Sequence, residues 1–360
     1  MSDLLALTAE LVDIPSVSHD EADLVADLER RLGAAPWLEV DRVGDNVVAR
    51  TQWGHPMRLV LAGHTDTVPP NGNDRARIEG DRLWGLGSAD MKGGLAVMVD
   101  LATTVESAAV DVTYVFYARE EVRSDLSGLG ELFEVRPDLV AGDVALLGEP
   151  TGAALEAGCQ GTMRLRASVV GARAHTARAW MGDNAIHRLA ELLTVLADYE
   201  GRRPVIDGCE YREGLQAVGI TGGVAGNVVP DHVDIEINHR FAPDRDIAEA
   251  EAHVAAVLDG VLGSRDTLEI VDASGGASPG LDHPLLSALV ERNRLEVRAK
   301  LGWTDVARFA AAGIPAANFG PGDAELAHSP EERVHRSDLE AVRSALGDLV
   351  ASGVRGDAGP

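Results

Sequence analysis

Several stretches of the chain carry apolar residues at helical spacing, three and four positions apart. This periodicity is typical of helices that bury one face. Ile14-Pro15-Ser16 ends the first such stretch, because proline cannot continue a helix. The predicted helices span residues 3–13, 20–32, 93–105, 183–199, 246–259, 284–292 and 337–351.

Short runs rich in valine, leucine and aromatic residues lie between the early helices, as is typical of buried strands. The predicted strands span residues 47–50, 58–62, 112–117 and 144–147. Because these strands alternate with helices, the pattern predicts an α/β domain with a mostly parallel sheet flanked by helices.

The middle of the chain has a different pattern. Over residues 162–170 apolar and polar positions alternate, which predicts a strand with one solvent-exposed face. Residues 216–221 and 233–238 alternate in the same way, with helices among them. This combination predicts a small α+β domain inserted into the first domain. The predicted bounds are 162–274 for the inserted domain, and 1–161 with 275–360 for the α/β domain.

The length and charge of the chain narrow the classes of function. Its 360 residues suit two domains, and 45% hydrophobic residues allow a sizeable core. Acidic residues number 58 against 32 basic ones, for a formal net charge of −26. This balance argues against binding to nucleic acid or to an anionic membrane. It does not exclude a local arginine cluster that receives a small anionic substrate.

The first residues of the chain and its cysteines indicate the cellular compartment of the protein. Met1 to Leu4 contain no basic segment and begin no long apolar run, so we expect no signal peptide. Two cysteines, Cys159 and Cys209, are too few for a disulfide framework. We therefore expect a cytoplasmic protein.

A histidine follows directly on the predicted strand at 58–62. In α/β sheets, ligands bind at the carboxyl ends of the strands, and His64 lies at such an end. Asp66, two residues on, is placed to hold the imidazole in one tautomer. Taken alone, this pair is better explained by a structural histidine.

A glycine-rich turn from Gly85 to Gly94 contains Asp90-Met91-Lys92. Its spacing fits neither a P-loop nor a dinucleotide-binding fingerprint. The glycines allow a sharp turn that presents the carboxylate of Asp90. The alternative is an ordinary helix N-cap, since aspartate is common there.

Further carboxylates follow other strands. Glu120 and Glu121 come after the strand at 112–117, and neighbouring residues on extended backbone point to opposite sides. One can then bind a metal while the other contacts water, although a solvated acidic turn is the simpler alternative. Glu149 follows the strand at 144–147, and His328 lies in a loop.

Together these residues gather two histidines and several carboxylates at the strand ends of one sheet. Mixed imidazole and carboxylate ligands suit zinc or a similar divalent ion. A carboxylate shared between two ions, with one histidine and one carboxylate for each, would form a two-metal clamp. We therefore expect two divalent metal ions, zinc first, with Co²⁺ or Mn²⁺ as substitutes.

Four motifs, in this order and spacing, resemble the M20 metallopeptidase family over essentially the whole chain. They are Gly63-His64-Thr65-Asp66-Thr67-Val68, Asp90-Met91-Lys92-Gly93-Gly94, Glu120-Glu121 and Gly148-Glu149-Pro150-Thr151. The resemblance implies that Asp90 bridges the two ions and that Glu120 is the catalytic base, which takes a proton from water. It assigns Asp66 to orient His64, and it implies a cis peptide after Asp90. The implied terminal ligands are His64 with Glu149 at one ion, and Glu121 with His328 at the other.

The inserted section resembles the family's lid and dimerisation domain. The resemblance places His175 over the metal ions of a partner subunit, where it stabilises the oxyanion. It therefore implies a homodimer with a lid that closes. From the residues alone, His175 is equally explained as a loop histidine.

Four residues match family positions near the substrate: Asn227, Arg240, Thr304 and, with less support, Arg178. Arginine suits bidentate binding of a carboxylate, although a strand-end arginine is more often a surface residue. Cys159 and Gln160 occupy the positions where proteobacterial desuccinylases of the family carry two arginines. In this respect the chain is similar to the actinobacterial branch of the family.

The resemblance thus implies hydrolysis of N-succinyl-LL-2,6-diaminopimelate to succinate and LL-2,6-diaminopimelate, a step of lysine and cell-wall precursor synthesis. The alternatives are another N-acyl-amino-acid deacylase, such as an acetylornithine deacetylase, or a dipeptidase. A binding protein without catalysis is disfavoured, because the ligand positions and Glu120 are all present.

Overall fold

The structure is a computed structural model that describes residues 3–354. Met1 and Ser2, on which part of the compartment prediction rests, lie outside the described residues, as do residues 355–360. The chain divides into two compact units. Unit 1 holds the residues up to Gly158, Pro279–Arg298 and the residues from Arg308, and unit 2 holds Cys159–Ser278 and Ala299–Ala307.

The α-helices of the described part agree with the predicted ones to within a few residues and include three short helices that the sequence pattern did not indicate. In chain order they are α1 (Leu4–Val12), α2 (Ala22–Gly33), α3 (Lys92–Thr104), α4 (Gly128–Val135), α5 (Pro137–Val140), α6 (Ala185–Ala197), α7 (Ile247–Val257), α8 (Pro284–Asn293), α9 (Val306–Ala311) and α10 (Arg336–Ser352).

The strands are more numerous than predicted, and most of the additional ones are two or three residues long. In chain order they are β1 (Glu39–Val43), β2 (Asn46–Arg50), β3 (Arg58–His64), β4 (Arg77–Glu79), β5 (Arg82–Trp84), β6 (Asp111–Tyr117), β7 (Val144–Leu147), β8 (Leu155–Ala157), β9 (Gly161–Val170), β10 (Val205–Ile206), β11 (Cys209–Glu210), β12 (Gly214–Gly222), β13 (His232–Phe241), β14 (Thr267–Ser274), β15 (Val297–Ala299), β16 (Ala316–Asn318) and β17 (Arg333–His335).

Unit 1 is built on an eight-stranded sheet in the order β1-β2-β6-β3-β7-β16-β8-β15. Its four central strands, β6, β3, β7 and β16, run parallel. The strands β3, β6 and β7 are almost wholly buried, as expected for strands covered on both faces. The predicted α/β architecture with a mostly parallel sheet is therefore confirmed, with antiparallel strands added at its two edges.

Helix α3 lies deepest in unit 1, with every residue from Lys92 to Ala102 buried. Leu95 and Met98 of α3 join the same hydrophobic cluster as Leu61 of β3 and Phe116 of β6. A helix that is apolar on all faces suits burial on all sides, which agrees with the weak amphipathic character of α3.

Unit 2 contains a four-stranded antiparallel sheet in the order β12-β13-β9-β14. The apolar positions of β9 that alternate in the sequence, Met163, Leu165, Ala167 and Val169, all face its buried core with α6 and α7. Strand β14 was not predicted; polar and apolar residues alternate from Thr267 to Ile270, but Val271 interrupts the alternation where the pairing with β9 shifts register.

One segment of unit 2 comes from beyond the predicted domain boundary. The predicted bounds place Ala299–Ala307 in the α/β domain, whereas the structure groups this segment with unit 2. The Gln160 N–H donates to the Lys300 carbonyl at 3.2 Å, and Cys159 Sγ donates to the Thr304 carbonyl at 3.8 Å. These bonds bind the segment to the start of unit 2, a tertiary contact with no local sequence signal.

Within residues 3–354, none of the helices combines the length and the apolarity that crossing a bilayer requires.

Candidate metal centre

Three neighbouring parallel strands of unit 1 end at one edge of the sheet. His64 is the last residue of β3 and pairs with Tyr117, the last residue of β6, while Ala62 pairs with Leu147, the last of β7. The segments that follow β6 and β7 carry Glu120, Glu121 and Glu149. The sheet register therefore gathers these side chains at its carboxyl edge, as the sequence predicted.

The carboxylate of Asp90 lies between the two histidines. Its Oδ1 is 3.1 Å from His64 Nε2, and its Oδ2 is 3.6 Å from His328 Nε2. His328 Nε2 is also 2.7 Å from Glu121 Oε1. Because each oxygen of Asp90 faces a different imidazole, this carboxylate has the geometry to bridge two cations.

The ligand atoms converge closely enough to hold a metal ion. One atom each from His64, Asp90 and Glu121 all lie within 4.8 Å of one another. Glu149 is 7% exposed, and its negative charge acts on His64. Two imidazoles and three carboxylates match the ligand types of a divalent-ion centre of the zinc kind.

The electrostatics also favour a cation at this place. Burial alone would lower the pKa of His64, yet the carboxylates of Asp66, Asp90 and Glu149 raise it well above its usual value. Burial and the nearby charge of Asp90 raise the pKa of Glu121. The pocket therefore stabilises positive charge, and divalent ions fit the residues that are present.

Asp66 contacts the ring of His64 with its backbone carbonyl, and its carboxylate lies close by. The Nδ1–H of His64 donates to the backbone carbonyl of Asp66 at 3.0 Å, whereas the Asp66 carboxylate lies 3.6 Å away. With Nδ1 engaged in this way, Nε2 is the ring nitrogen that faces Asp90 and that a metal ion would occupy.

The carboxylate of Asp66 also holds the neighbouring turn. It accepts hydrogen bonds from the backbone N–H groups of Glu120 at 2.9 Å and of Glu121 at 3.0 Å, and from Ser18 Oγ at 2.8 Å. Burial opposes its ionisation, but the contact with His64 and these hydrogen bonds lower the pKa of Asp66 to about 2. Asp66 thus fixes both His64 and the turn that carries the proposed base.

The turn before α3 differs from an ordinary helix start. The N-cap residue is Met91, without a side-chain cap bond, so the alternative explanation of Asp90 as a helix N-cap is wrong. The peptide between Asp90 and Met91 is cis, as the resemblance implies. A Cβ at Gly93 would lie 2.7 Å from the Ser88 carbonyl, so glycine there permits the close approach of this turn to α3.

Glu120 and Glu121 lie beyond the end of strand β6, so they are not neighbours on a strand as assumed. Strand β6 ends at Tyr117, and Arg119 has a positive φ of 62°. The Arg119 side chain donates to the Leu126 carbonyl at 2.8 Å and to Glu131 at 2.7 Å. The two glutamates are therefore set by a turn with its own anchors, and strand alternation does not determine where they point.

Of the candidate residues in unit 2, three lie together on exposed segments. His175 precedes a 3₁₀ turn, Thr176–Met181, and its Nδ1 accepts from the Ala177 N–H at 3.0 Å. The Thr176 N–H donates to the Asn227 carbonyl at 3.0 Å, which brings His175 and Asn227 to neighbouring backbone positions. His175, Arg178 and Asn227 are all exposed.

Arg240 and Thr304 form a second group in unit 2. Arg240 lies on β13, and burial lowers the pKa of its guanidinium. Arg240 pairs with Thr162 of β9, and Cys159, three residues before Thr162, donates to the Thr304 carbonyl. Cys159 is fully buried, which makes it a packing residue beside the two candidate substrate contacts.

Two side chains at the centre were not singled out from the sequence. Ser18 donates to Asp66, and Glu332 accepts from the backbone N–H groups of Ala89 and Asp90. Ser18 has no local signal, since serine in a loop is common. Glu332 stands four residues after His328, and only a buried position distinguishes it from the exposed Glu331 beside it.

Comparison with known proteins identifies the family of the chain. The profile described as "Peptidase family M20/M25/M40" matches residues 60–352. A putative succinyl-diaminopimelate desuccinylase DapE from Mycobacterium tuberculosis is 52% identical over 345 residues, covering 96% of this chain and 97% of the relative. A succinyl-diaminopimelate desuccinylase from Corynebacterium glutamicum is 45% identical over 355 residues, covering 96% and 95%.

Solved structures share the fold at lower identity. A tripeptidase from Staphylococcus aureus matches with a TM-score of 0.80 at 20% identity, covering 98% of both chains. A dinuclear metal-binding peptidase of the M20 family from Bacillus subtilis matches with a TM-score of 0.71 at 15% identity, covering 96% of both. Together with the near-full-length relatives, the profile match shows that the chain belongs to peptidase family M20/M25/M40.

Proposed function

We propose that this protein is a metal-dependent amide hydrolase that converts N-succinyl-LL-2,6-diaminopimelate and water to succinate and LL-2,6-diaminopimelate. The observation that carries the chemistry is the placement of Asp90, with one carboxylate oxygen toward His64 and the other toward His328. The substrate rests on the desuccinylase relatives at 52% and 45% identity over nearly the whole chain.

Two divalent ions complete the proposed site, and zinc is the metal that its ligands suit best. Asp90 would bridge them. His64 with Glu149 would hold one ion, and Glu121 with His328 the other. When bound, the ions act as Lewis acids, which polarise the amide carbonyl and lower the pKa of water.

Glu120 is the proposed general base. Its backbone N–H is held by Asp66, and the next residue, Glu121, is a proposed ligand, so its side chain starts at the edge of the centre. Glu120 takes a proton from the attacking water as the new C–O bond forms at the amide carbon. It then gives that proton to the amine nitrogen as the C–N bond breaks, so that succinate and the free amine leave.

The residues of unit 2 are proposed to receive the anionic ends of the substrate. Arg240 offers a bidentate partner for a carboxylate, and Thr304 and Asn227 offer neutral donors. Partial burial of Arg240 strengthens such a contact, because less water competes for the guanidinium. Arg178 is exposed and is proposed as a further anion contact.

A substrate panel tests the proposed specificity. The zinc-loaded protein should release free amine from N-succinyl-LL-2,6-diaminopimelate with a kcat/KM about 10- to 10²-fold above that for N-acetylornithine, because the loss of a hydrogen bond to a charged group costs about 1.5–3 kcal/mol. If N-acetylornithine or a dipeptide is hydrolysed at equal or higher kcat/KM, the substrate assignment is wrong. The assignment as a metal-dependent amide hydrolase would still stand.

We further propose that unit 2 is a lid and dimerisation domain, and that His175 reaches the metal centre of a partner subunit. Strand β12 lies at an edge of its sheet and exposes Val218 by 57% and Ile220 by 52%. Trp180, near His175, is 80% exposed. An apolar open edge is suited to pairing with a second copy of the chain.

Mixing two inactive variants tests this arrangement. Dimers that combine a Glu120→Gln subunit with a His175→Ala subunit should regain one working site, to about a quarter of wild-type activity in an equal mixture. Each variant alone is the control, and sedimentation of the wild type should show a dimer. A monomer, or no recovery in mixtures shown to exchange subunits, would contradict a shared site.

We also propose that the reaction takes place in the cytoplasm. Cys159 and Cys209 are both buried free thiols, which a reducing compartment preserves.

A further inference from the structure

Glu332 is a buried glutamate that the proposed chemistry does not use. It is 1% exposed and lies in unit 1, between the His328 loop and β17. Burying a carboxylate is unfavourable unless hydrogen bonds replace its water shell. The partners that Glu332 makes therefore indicate what its burial achieves.

Those partners are backbone groups of the turn that carries Asp90. Oε1 of Glu332 accepts from the Ala89 N–H at 3.0 Å and from the Asp90 N–H at 3.1 Å. The Gly85 N–H donates to the backbone carbonyl of Glu332 at 3.2 Å. One residue thus holds both the beginning and the end of the glycine-rich turn.

The same residue is tied to the loop that carries His328. The Glu332 N–H donates to the Ser329 carbonyl at 3.2 Å, and Asn73 Nδ2 donates to that same carbonyl at 3.1 Å. His328 has a positive φ of 61°, so its backbone is in a conformation that neighbouring contacts must maintain.

Strand pairing explains why Glu332 meets this turn. Strand β17 begins directly after Glu332, and β5 ends directly before the turn. The two strands are antiparallel, with Arg333 paired to Trp84. The register of one short sheet therefore delivers the Glu332 carboxylate to the amides of the turn.

We propose that Glu332 is a positioning residue of the metal centre, which fixes the backbone of Asp90 relative to that of His328 through its hydrogen bonds to the Ala89 and Asp90 amides. The inference rests on the proposed metal site. It assigns Glu332 no contact with the ions or the substrate. Substitution of a residue that supports metal ligands without contacting the ion commonly lowers metal affinity or activity by about 10–100-fold.

Two substitutions separate hydrogen-bond reach from charge. Glu332→Asp keeps the charge but withdraws the carboxylate by about 1.5 Å, one carbon–carbon bond. Glu332→Gln removes the charge but keeps an oxygen at the same reach. We expect Glu332→Asp to weaken metal binding by about 10–100-fold, and Glu332→Gln to remain within about threefold of the wild type.

Metal affinity is measured by letting each protein compete with a chelating dye for Zn²⁺ or Co²⁺. The visible spectrum of the Co²⁺ form is recorded as well. Glu331→Asp makes the same change at the exposed neighbour and should bind metal as the wild type does. Thermal unfolding of the metal-free proteins separates loss of affinity from loss of the fold.

Each outcome supports or overturns the inference. Native affinity and an unchanged Co²⁺ spectrum in Glu332→Asp would overturn it, and so would a large loss of affinity in folded Glu332→Gln. If Glu332→Asp does not fold, the Glu332→Gln titration decides. A wild type that binds fewer than two ions would instead count against the proposed metal centre.

Discussion

Replacing Glu120 with glutamine is expected to lower kcat by about 10²–10⁴-fold while both metal ions stay bound. The amide has nearly the shape of the carboxylate, but it cannot accept the proton of the attacking water. The proposed ligands are other residues, and the backbone N–H of residue 120 still donates to Asp66. Metal affinity should therefore remain within about threefold, since no ligand is lost.

To compare the wild type with Glu120→Gln, the metal content and the reaction rate must be measured on the same preparation. Metal analysis should give equal stoichiometry for the wild type and Glu120→Gln, and single-turnover kinetics should show the loss in the chemical step. Glu106→Gln, at an exposed glutamate after α3, is the matched control and should keep full activity. A Glu120→Gln enzyme with near-native kcat would remove Glu120 from the role of base.

The sequence predicted the strand-end residues well because their signal is local. The apolar runs of β3, β6 and β7 end where His64, the Glu120 turn and Glu149 begin, and the parallel register then aligns those ends. Nothing beyond strand identity and direction is needed for that inference. The same reasoning could not tell an N-cap from a ligand at Asp90.

Contacts between distant segments could not be read from the sequence. Asp66 holds the 120–121 turn through its carboxylate, and Glu332 holds the Asp90 turn across 242 positions of the chain. Strand β14 and the segment Ala299–Ala307 are likewise placed by tertiary contacts. In each case the side chain or strand is ordinary in its local sequence, and only the fold gives it a role.

The position of Asp90 makes it the residue whose loss should affect both ions at once. Replacing Asp90 with asparagine leaves an oxygen for one ion at best, because the amide nitrogen cannot be a ligand. The ions supply several kcal/mol of transition-state stabilisation. Loss of about 4 kcal/mol corresponds to roughly 10³-fold, so we expect kcat/KM to fall by at least about 10³-fold.

The variant should also lose the stabilisation that metal binding gives. A ligand present at about 100 times its Kd raises the free energy of unfolding by about 2.7 kcal/mol, so adding Zn²⁺ should raise the Tm of the chelated wild type. In Asp90→Asn that rise should shrink or vanish, since the bridge between the sites is gone. Asp282→Asn, at an exposed aspartate of unit 1, is the control and should keep the full rise.

Metal titration distinguishes a bridge from a terminal ligand. If Asp90 bridges, its removal lowers the affinity of both sites together, because His64 Nε2 and His328 Nε2 each face one of its oxygens. If it served one ion only, a single site would weaken and the other would titrate as in the wild type. Two ions bound with native affinity by Asp90→Asn would exclude the bridge and require another shared ligand, with Glu121 next to be tested because it already contacts His328.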